Sequence, residues 1–261
     1  MKRWKLSYEL DCQYSRPVSM HFYSLRCFPQ ALTSQKVNSM TYRINLDRKE
    51  SWGKDSFGNP LLTGYVEQPH TRLWLRLEAE VETEDRMEPE PRPDWCLGMY
   101  GTATPLTAVG PSLKAFGAAE AGSGASPWQR AGELMEQLAG AVCYVSGSTG
   151  FDTSAEEAFS QKMGVCQDYA HILLALCRRE GIRARYVAGA IPGEGASHAW
   201  VEVYDRGLWK GFDPTHNRCT DESYICFCYG RDAHDSPLNR GVFVGNTLQN
   251  QRITIRMEEK Q

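Results

Sequence analysis

The sequence predicts an α+β protein in which helices pack on an antiparallel sheet, preceded by a small β-sandwich domain. Three observations predict it. Residues 1 to about 85 read as strands divided by turn chemistry, 126–181 repeats apolar residues at helical spacing, and three more strand-like runs follow up to residue 212.

In the first region Leu73, Leu75, Leu77, Ala79 and Val81 alternate with Trp74, Arg76, Glu78 and Glu80, the period of a half-buried strand. Asp55-Ser-Phe-Gly-Asn-Pro60 is dense in turn formers and separates Tyr42-Arg-Ile-Asn-Leu46 from Leu61-Leu-Thr-Gly-Tyr-Val66. Pro89, Pro91 and Pro93 at alternating positions suit neither a helix interior nor a central strand, so 82–94 reads as an extended crossover. The expected division is a first domain over 1–90 and a second over 91–261.

A small-residue break at 117–126 reads as flexible and ends in a helix start, with Ser126 as N-cap and Pro127 in the first turn. Trp128, Ala131, Leu134, Met135, Leu138 and Val142 follow as a core-facing stripe. A second short helix is expected from Thr153, with Glu156 in a capping box. The third has Gly164 at its approach, apolar residues Ala170, Leu173, Leu174 and Cys177 inside, and Gly181 as its C′ stop. Cys166 then lies in the first turn, where unpaired N–H groups and the positive end of the helix dipole favour a thiolate.

Strands are expected over 183–190, 197–204 and 208–212, the last two joined by Asp205-Arg-Gly207. If Asp205 and Arg206 form the loop, His198 faces Asp213 directly. If Arg206 and Gly207 form it, Asp213 faces Trp200 and lies diagonal to His198. Cβ separations are about 5 Å for direct and about 7–8 Å for diagonal neighbours, so either register joins carboxylate to imidazole. A three-residue loop would put them on opposite faces unless a bulge intervened. The runs 241–244 and 252–256 are expected to close the second domain's sheet.

Composition narrows the function classes. The formal charge is −3, with 29 basic and 32 acidic residues interleaved, which offers no footprint for nucleic acid or an anionic membrane. Nine cysteines, an odd number without a disulfide-framework spacing, point to a reducing cytoplasm. No signal peptide or membrane span is expected from the first residues, because no apolar run follows the basic start.

Cys166, His198 and Asp213 offer a nucleophile, a base and an orienting acid in that order. A thiolate attacks a carbonyl carbon, an imidazole takes and returns the proton, and a carboxylate fixes the tautomer. Buried structural cysteine is the competing reading for Cys166, and the helix-start position and the hairpin register weigh against it. His171 falls about 140° around the helix from Cys166 and is expected to be a hydrogen-bonded helix residue. Asp168 is expected to cap, and Asp205 to serve the turn. His216, Cys219, Cys226, Cys228 and His234 lack a Cys-x-x-Cys knuckle, so no metal site is expected.

Gly164-Val-Cys-Gln-Asp-Tyr-Ala-His171, Ala196-Ser-His-Ala-Trp-Val-Glu-Val203 and Gly211-Phe-Asp-Pro-Thr215 resemble the three signature blocks of the bacterial transglutaminase-like cysteine protease family. Tyr14-Ser-Arg-Pro-Val18 and Asp55-Ser-Phe-Gly-Asn59 are similar to its N-terminal β-domain, and Gly230-Arg-Asp232 and Arg240-Gly-Val-Phe243 to its C-terminal loop and strand. The resemblance implies a papain-like core, a catalytic Cys166, His198 and Asp213, no cofactor, and a peptide or protein substrate. Animal transglutaminases carry Trp directly after the nucleophile. This chain has Gln167 there and nothing similar to their calcium sites, so the resemblance does not extend to calcium dependence or protein cross-linking.

The expected activity is amide hydrolysis through a thioester acyl-enzyme. Transamidation by the same intermediate and a non-catalytic binding module are the rivals. The backbone N–H of Cys166 is expected to form half of an oxyanion hole, with a second donor that the sequence does not name.

Overall fold

The structure, a computed structural model, describes residues 1–116 and 125–260. Most of the flexible break expected at 117–126 therefore lies outside the described residues.

Strand β1 (Lys2–Leu25) organises the first half of the chain. Its even-numbered residues from Trp4 to Tyr14 are buried, whereas beyond the bend His21, Tyr23 and Leu25 are. A register shift near Met20, which has φ 51°, changes the parity and turns the strand. β1 therefore serves both layers of one bent eight-stranded sheet. Strands β2 (Gln35–Ile44), β3 (Lys49–Lys54), β4 (Pro60–Val66) and β5 (His70–Thr83) follow. The first half of β1 pairs with β5, which also carries β2, and the second half with β4, which carries β3. Phe28 bridges the two layers, its ring centre 5.6 Å from that of Tyr42 and 4.5 Å from that of Trp52. The turn at 55–59 joins β3 to β4, so the strand directly before it is 49–54 rather than 42–46.

The proline-rich crossover is extended as expected, and β6 (Glu88–Pro89) runs along it. Buried Glu88 accepts the backbone N–H groups of Thr33 and Ser34, fastening the crossover to the first half. Then come α1 (Pro111–Ala115), α2 (Pro127–Leu138), β7 (Cys143–Tyr144), α3 (Ala155–Gln161), β8 (Met163–Gly164) and α4 (Cys166–Arg179). Ser126 caps α2 as expected, accepting the N–H of Gln129, and Ala131, Leu134, Met135 and Leu138 are buried. α3 begins one residue late, capped by Ser154 with Glu157. Glu156 instead accepts the N–H groups of Gly110, Ser112 and Leu113, the unpaired donors at the start of α1.

α4 lies across a second, wholly antiparallel sheet. Its strands are β9 (Ala184–Ala190), β11 (His198–Asp205), β12 (Leu208–Asp213), β13 (Arg218–Cys219) and β14 (Ile225–Gly230), in the order β13-β12-β11-β9-β14, with β6 on β12. β10 (Gly193–Gly195), β15 (Asn239–Val244) and β16 (Gln249–Glu259) complete the chain.

Here the expectation for the last two strands is corrected. β15 and β16 pair with β1, not with the second sheet. Ile253, Ile255 and Met257 stand opposite Leu10, Tyr8 and Leu6, so their apolar side chains complete a core face that β1 and β5 leave open. The outer edge of β14 is meanwhile closed by side chains from the first half. Gln35 bonds both the N–H and C=O of Cys226, and Asn59 does the same for Tyr229, which protects an edge that would otherwise invite pairing.

Candidate active site

Cys166 is the first residue of α4, entered through extended Val165. Asp168 folds back to accept the Val165 N–H at 2.7 Å and the Thr149 hydroxyl at 2.6 Å, a capping role. Gly164 is required for that closeness, because a Cβ there would sit 2.7 Å from the Cβ of Asp168. Cys166 is half-buried, with Sγ 3.9 Å from the Ser197 carbonyl oxygen. Its relatives inside the core are inert by comparison, since burial pushes the thiols of Cys12 and Cys177 up to about 12.

The hairpin settles the register. Asp205 pairs with Leu208, and Arg206 and Gly207 form the loop with φ 50° and 83°. Two positive φ values match a tight hairpin turn that suits the strand twist, with glycine at its second position. Asp213 is thus diagonal to His198, and the carboxylate spans the gap: Nε2 of His198 lies 2.7 Å from Oδ2. His198 stands opposite Gly189 on β9, where an added Cβ would lie 2.6 Å from the Trp200 ring and 2.0 Å from the Ile225 carbonyl oxygen, so the glycine lets these layers close around the imidazole's strand.

Asp213 is fully buried and accepts five hydrogen bonds. Oδ2 takes His198 Nε2, His216 Nδ1 and the Tyr224 hydroxyl, each at 2.7 Å. Oδ1 takes the backbone N–H groups of Thr215 and His216 at 3.0 and 3.2 Å. Burial pushes its pKa up, but these donors, His198 foremost, together hold the carboxyl well below the usual range. For His198, burial is the largest influence and lowers the pKa. Hydrogen bonds to Asp213 and to the Cys166 side chain override it and raise the value from 6.5 to about 9. Nε2 is committed to Asp213, so Nδ1 is the nitrogen left for sulfur.

The direction of that shift fixes a pH window. A folded-state pKa above the unfolded one gives stability that is fully present below 6.5 and lost as pH rises through about 9. The urea midpoint is therefore expected to fall between pH 7 and 10, and to fall less in His198→Ala. Equal falls in the two proteins would mean that the imidazole gains nothing from its partners.

With this geometry in place, two family models match the chain. Residues 116–214 match the transglutaminase-like superfamily core, and 4–82 the bacterial transglutaminase-like N-terminal region. The chain belongs to the transglutaminase-like superfamily. An uncharacterized protein of Mycobacterium leprae is 28% identical over 275 residues, covering 94% of each chain. One from Mycobacterium bovis is 26% identical over 280 residues, covering 94% of this chain and 88% of its own. A crystal structure described as a "putative cysteine protease" from Cytophaga hutchinsonii superposes with a TM-score of 0.80 at 21% identity, covering 100% of this chain and 91% of the other. That likeness shows the fold.

The transglutaminase-like core brings Cys166, His198 and Asp213 together and leaves the other candidates aside. His171 is buried and accepts the Ala233 N–H at Nε2, and burial pulls its pKa down to about 4. Cys226 and Cys228 belong to β14, while His234 pairs with Asp152 at 2.8 Å. Among the described residues, donor atoms of His198, Asp213 and His216 form a group within 4.8 Å of one another. Both ring nitrogens lie 2.7 Å from Oδ2, whereas two ligands across a tetrahedral zinc stand about 3.4 Å apart, so the arrangement as it stands is a proton network.

His216 and Tyr224 are the partners that sequence reasoning missed. His216 had one available signal, its position three residues after Asp213. Tyr224 had none, because the loop between β13 and β14 brings it back under Asp213, where Arg218 Nε donates to its hydroxyl at 3.0 Å and Trp200 packs edge-on at 5.3 Å.

Proposed function

We propose that this transglutaminase-like protein is a cysteine-nucleophile amide hydrolase acting on peptides, with Cys166 as nucleophile, His198 as base and Asp213 as orienting acid. The observation that carries the reading is the Asp213–His198 bond, which leaves the other face of the imidazole to a half-buried sulfur at a helix start.

Each step keeps its atoms. His198, held protonated at neutral pH by its raised pKa, carries the thiol's proton, so sulfur attacks the carbonyl carbon as the thiolate and the oxygen gathers negative charge. The N–H of Cys166, at the first position of α4, has no partner within the helix and is placed to stabilise that charge. The C–N bond breaks as His198 passes its proton to the departing amine, leaving a thioester. Water then attacks as neutral His198 takes one of its protons, the C–S bond breaks to restore the thiolate–imidazolium pair, and the released acid ionises to a carboxylate.

We also place the protein in a reducing cytoplasm. All nine cysteines are free, and no helix among the described residues is long and apolar enough to cross a membrane.

Product analysis tests the reading. A peptide amide library is expected to yield carboxylate products at a rate that an added primary amine changes little. Amine adducts replacing the carboxylate in proportion to amine concentration would make the protein a transamidase, and no turnover of any amide would reject both.

A further inference from the structure

A cavity of about 640 Å³ opens beside the sulfur, within the range of roughly 300–1,000 Å³ usual for small-ligand sites. Gln167, the residue after Cys166, and Ser197, whose carbonyl oxygen is 3.9 Å from Sγ, form its mouth. None of Cys166, His198, Asp213 or His216 lines it, and Gln167 and Ser197 are the lining residues that adjoin the sulfur.

Its inner wall is Tyr186 and Ala188 of β9 with Leu238 from the loop before β15, all buried. Its outer wall comes from the first sheet. Ile253 of β16 is half-buried on the face shared with Leu10, and beyond it Gln251 and Asn239 bond reciprocally, at 2.9 and 3.1 Å. That amide pair is electrically neutral. The one carboxylate in the lining, Asp152, is already paired with His234. Arg240 belongs to the exposed rim.

We propose that this cavity is the acyl-side binding site and takes a medium-sized apolar side chain, such as leucine, from the residues preceding the scissile bond. The assignment rests on the function proposed above. It follows from where the proton must go: His198 protonates the departing amine, so the leaving portion lies on the imidazole side and the acyl portion occupies the space on the other. The buried part of the lining is Tyr186, Ala188, Ala233, Leu238 and the uncharged Ser236, whereas Asp152, His234 and Arg240 are exposed. A charged group reaching the buried wall would therefore lose its water and meet no opposite charge there. The first sheet, on this assignment, is a wall of the substrate site as well as a scaffold.

The test uses the full chain and three irreversible probes with one fluoromethyl ketone warhead, carrying benzyloxycarbonyl-protected Leu, Asp or Lys. Iodoacetamide serves as the reference that needs no pocket. In the wild type the Leu probe is expected to modify Cys166 at least about tenfold faster than the Asp or Lys probe, the usual reach of apolar discrimination. Ile253→Asp and the cavity-filling Ile253→Trp should each slow the Leu probe by about tenfold or more while leaving the iodoacetamide rate within about twofold. Having two variants keeps the test intact if the buried charge prevents folding, which a thermal melt reports. Normal iodoacetamide labelling with no preference among the probes, or a Leu rate untouched by both variants, overturns the pocket assignment alone. A preference for Asp overturns the apolar reading and moves recognition to Arg240. Cys166 no more reactive to iodoacetamide than an ordinary thiol overturns the proposed function, and the acyl-side assignment with it.

Discussion

Cys166→Ala is expected to lower single-turnover acylation by roughly 10³-fold or more, the scale at which removing a nucleophile disables a triad acting as a unit. The same change should remove the one fast site of iodoacetamide labelling at neutral pH. The protein supplies its own controls, because Cys143 and Cys219 are exposed without such partners, whereas Cys12, Cys27, Cys177, Cys226 and Cys228 are buried. Exposure alone would make Cys143 and Cys219 react faster than half-buried Cys166. Faster reaction at Cys166 must therefore come from its chemistry, that is, from the first turn of α4 and the imidazole beside it. Mass-spectrometric rates for individual cysteines decide the point. A Cys166 that labels no faster than Cys143 would leave a protein that keeps the superfamily's fold without its reaction.

The residues legible in the sequence are those placed by short-range rules. Ser126 and Pro127 begin α2, Cys166 begins α4, and Gly181, with φ 74°, follows its end, because caps and stops depend on a few neighbouring residues. The hairpin was legible only up to its loop, because a three-residue loop would have put His198 and Asp213 on opposite faces and the two-residue loop is what brings them together. Both candidate registers put His198 and Asp213 on reach of each other, and only the positive φ of both Arg206 and Gly207 selects the diagonal one. What the sequence could not show is long-range pairing. The alternation of Ile253, Ile255 and Met257 says that the segment buries one face, but a period of two is silent about which sheet it joins, and β1 lies more than 230 positions away in sequence at Trp4↔Glu259. The cavity beside Cys166 escaped for the same reason, since its outer wall exists only once β16 has returned to β1.

Asp213→Asn is the second large effect, and the hydrogen-bond count explains its size. The carboxylate can only accept, so it fixes His198 with a proton on Nε2 and turns Nδ1 toward sulfur. An amide in its place can present N–H to Nε2 instead, which puts the ring proton on Nδ1 and removes the base. A loss of about 10⁴-fold in turnover is expected from the wrong tautomer alone. The His198 pKa should also fall from about 9, because burial, its largest single influence, would no longer be opposed by the Asp213 hydrogen bond and charge and only Cys166 would still raise it. An NMR titration of the His198 ring reads this directly, separating loss of the carboxylate from general disorder. His216→Gln is the companion variant: it keeps a side-chain donor for Oδ2, leaves the other four bonds to Asp213 in place, and should cost less than about tenfold, as expected for one partner among several. Should His216→Gln prove as damaging as Asp213→Asn, with the His198 pKa still near 9, the working base would be His216, and the order of groups from carboxylate to sulfur would have to be redrawn.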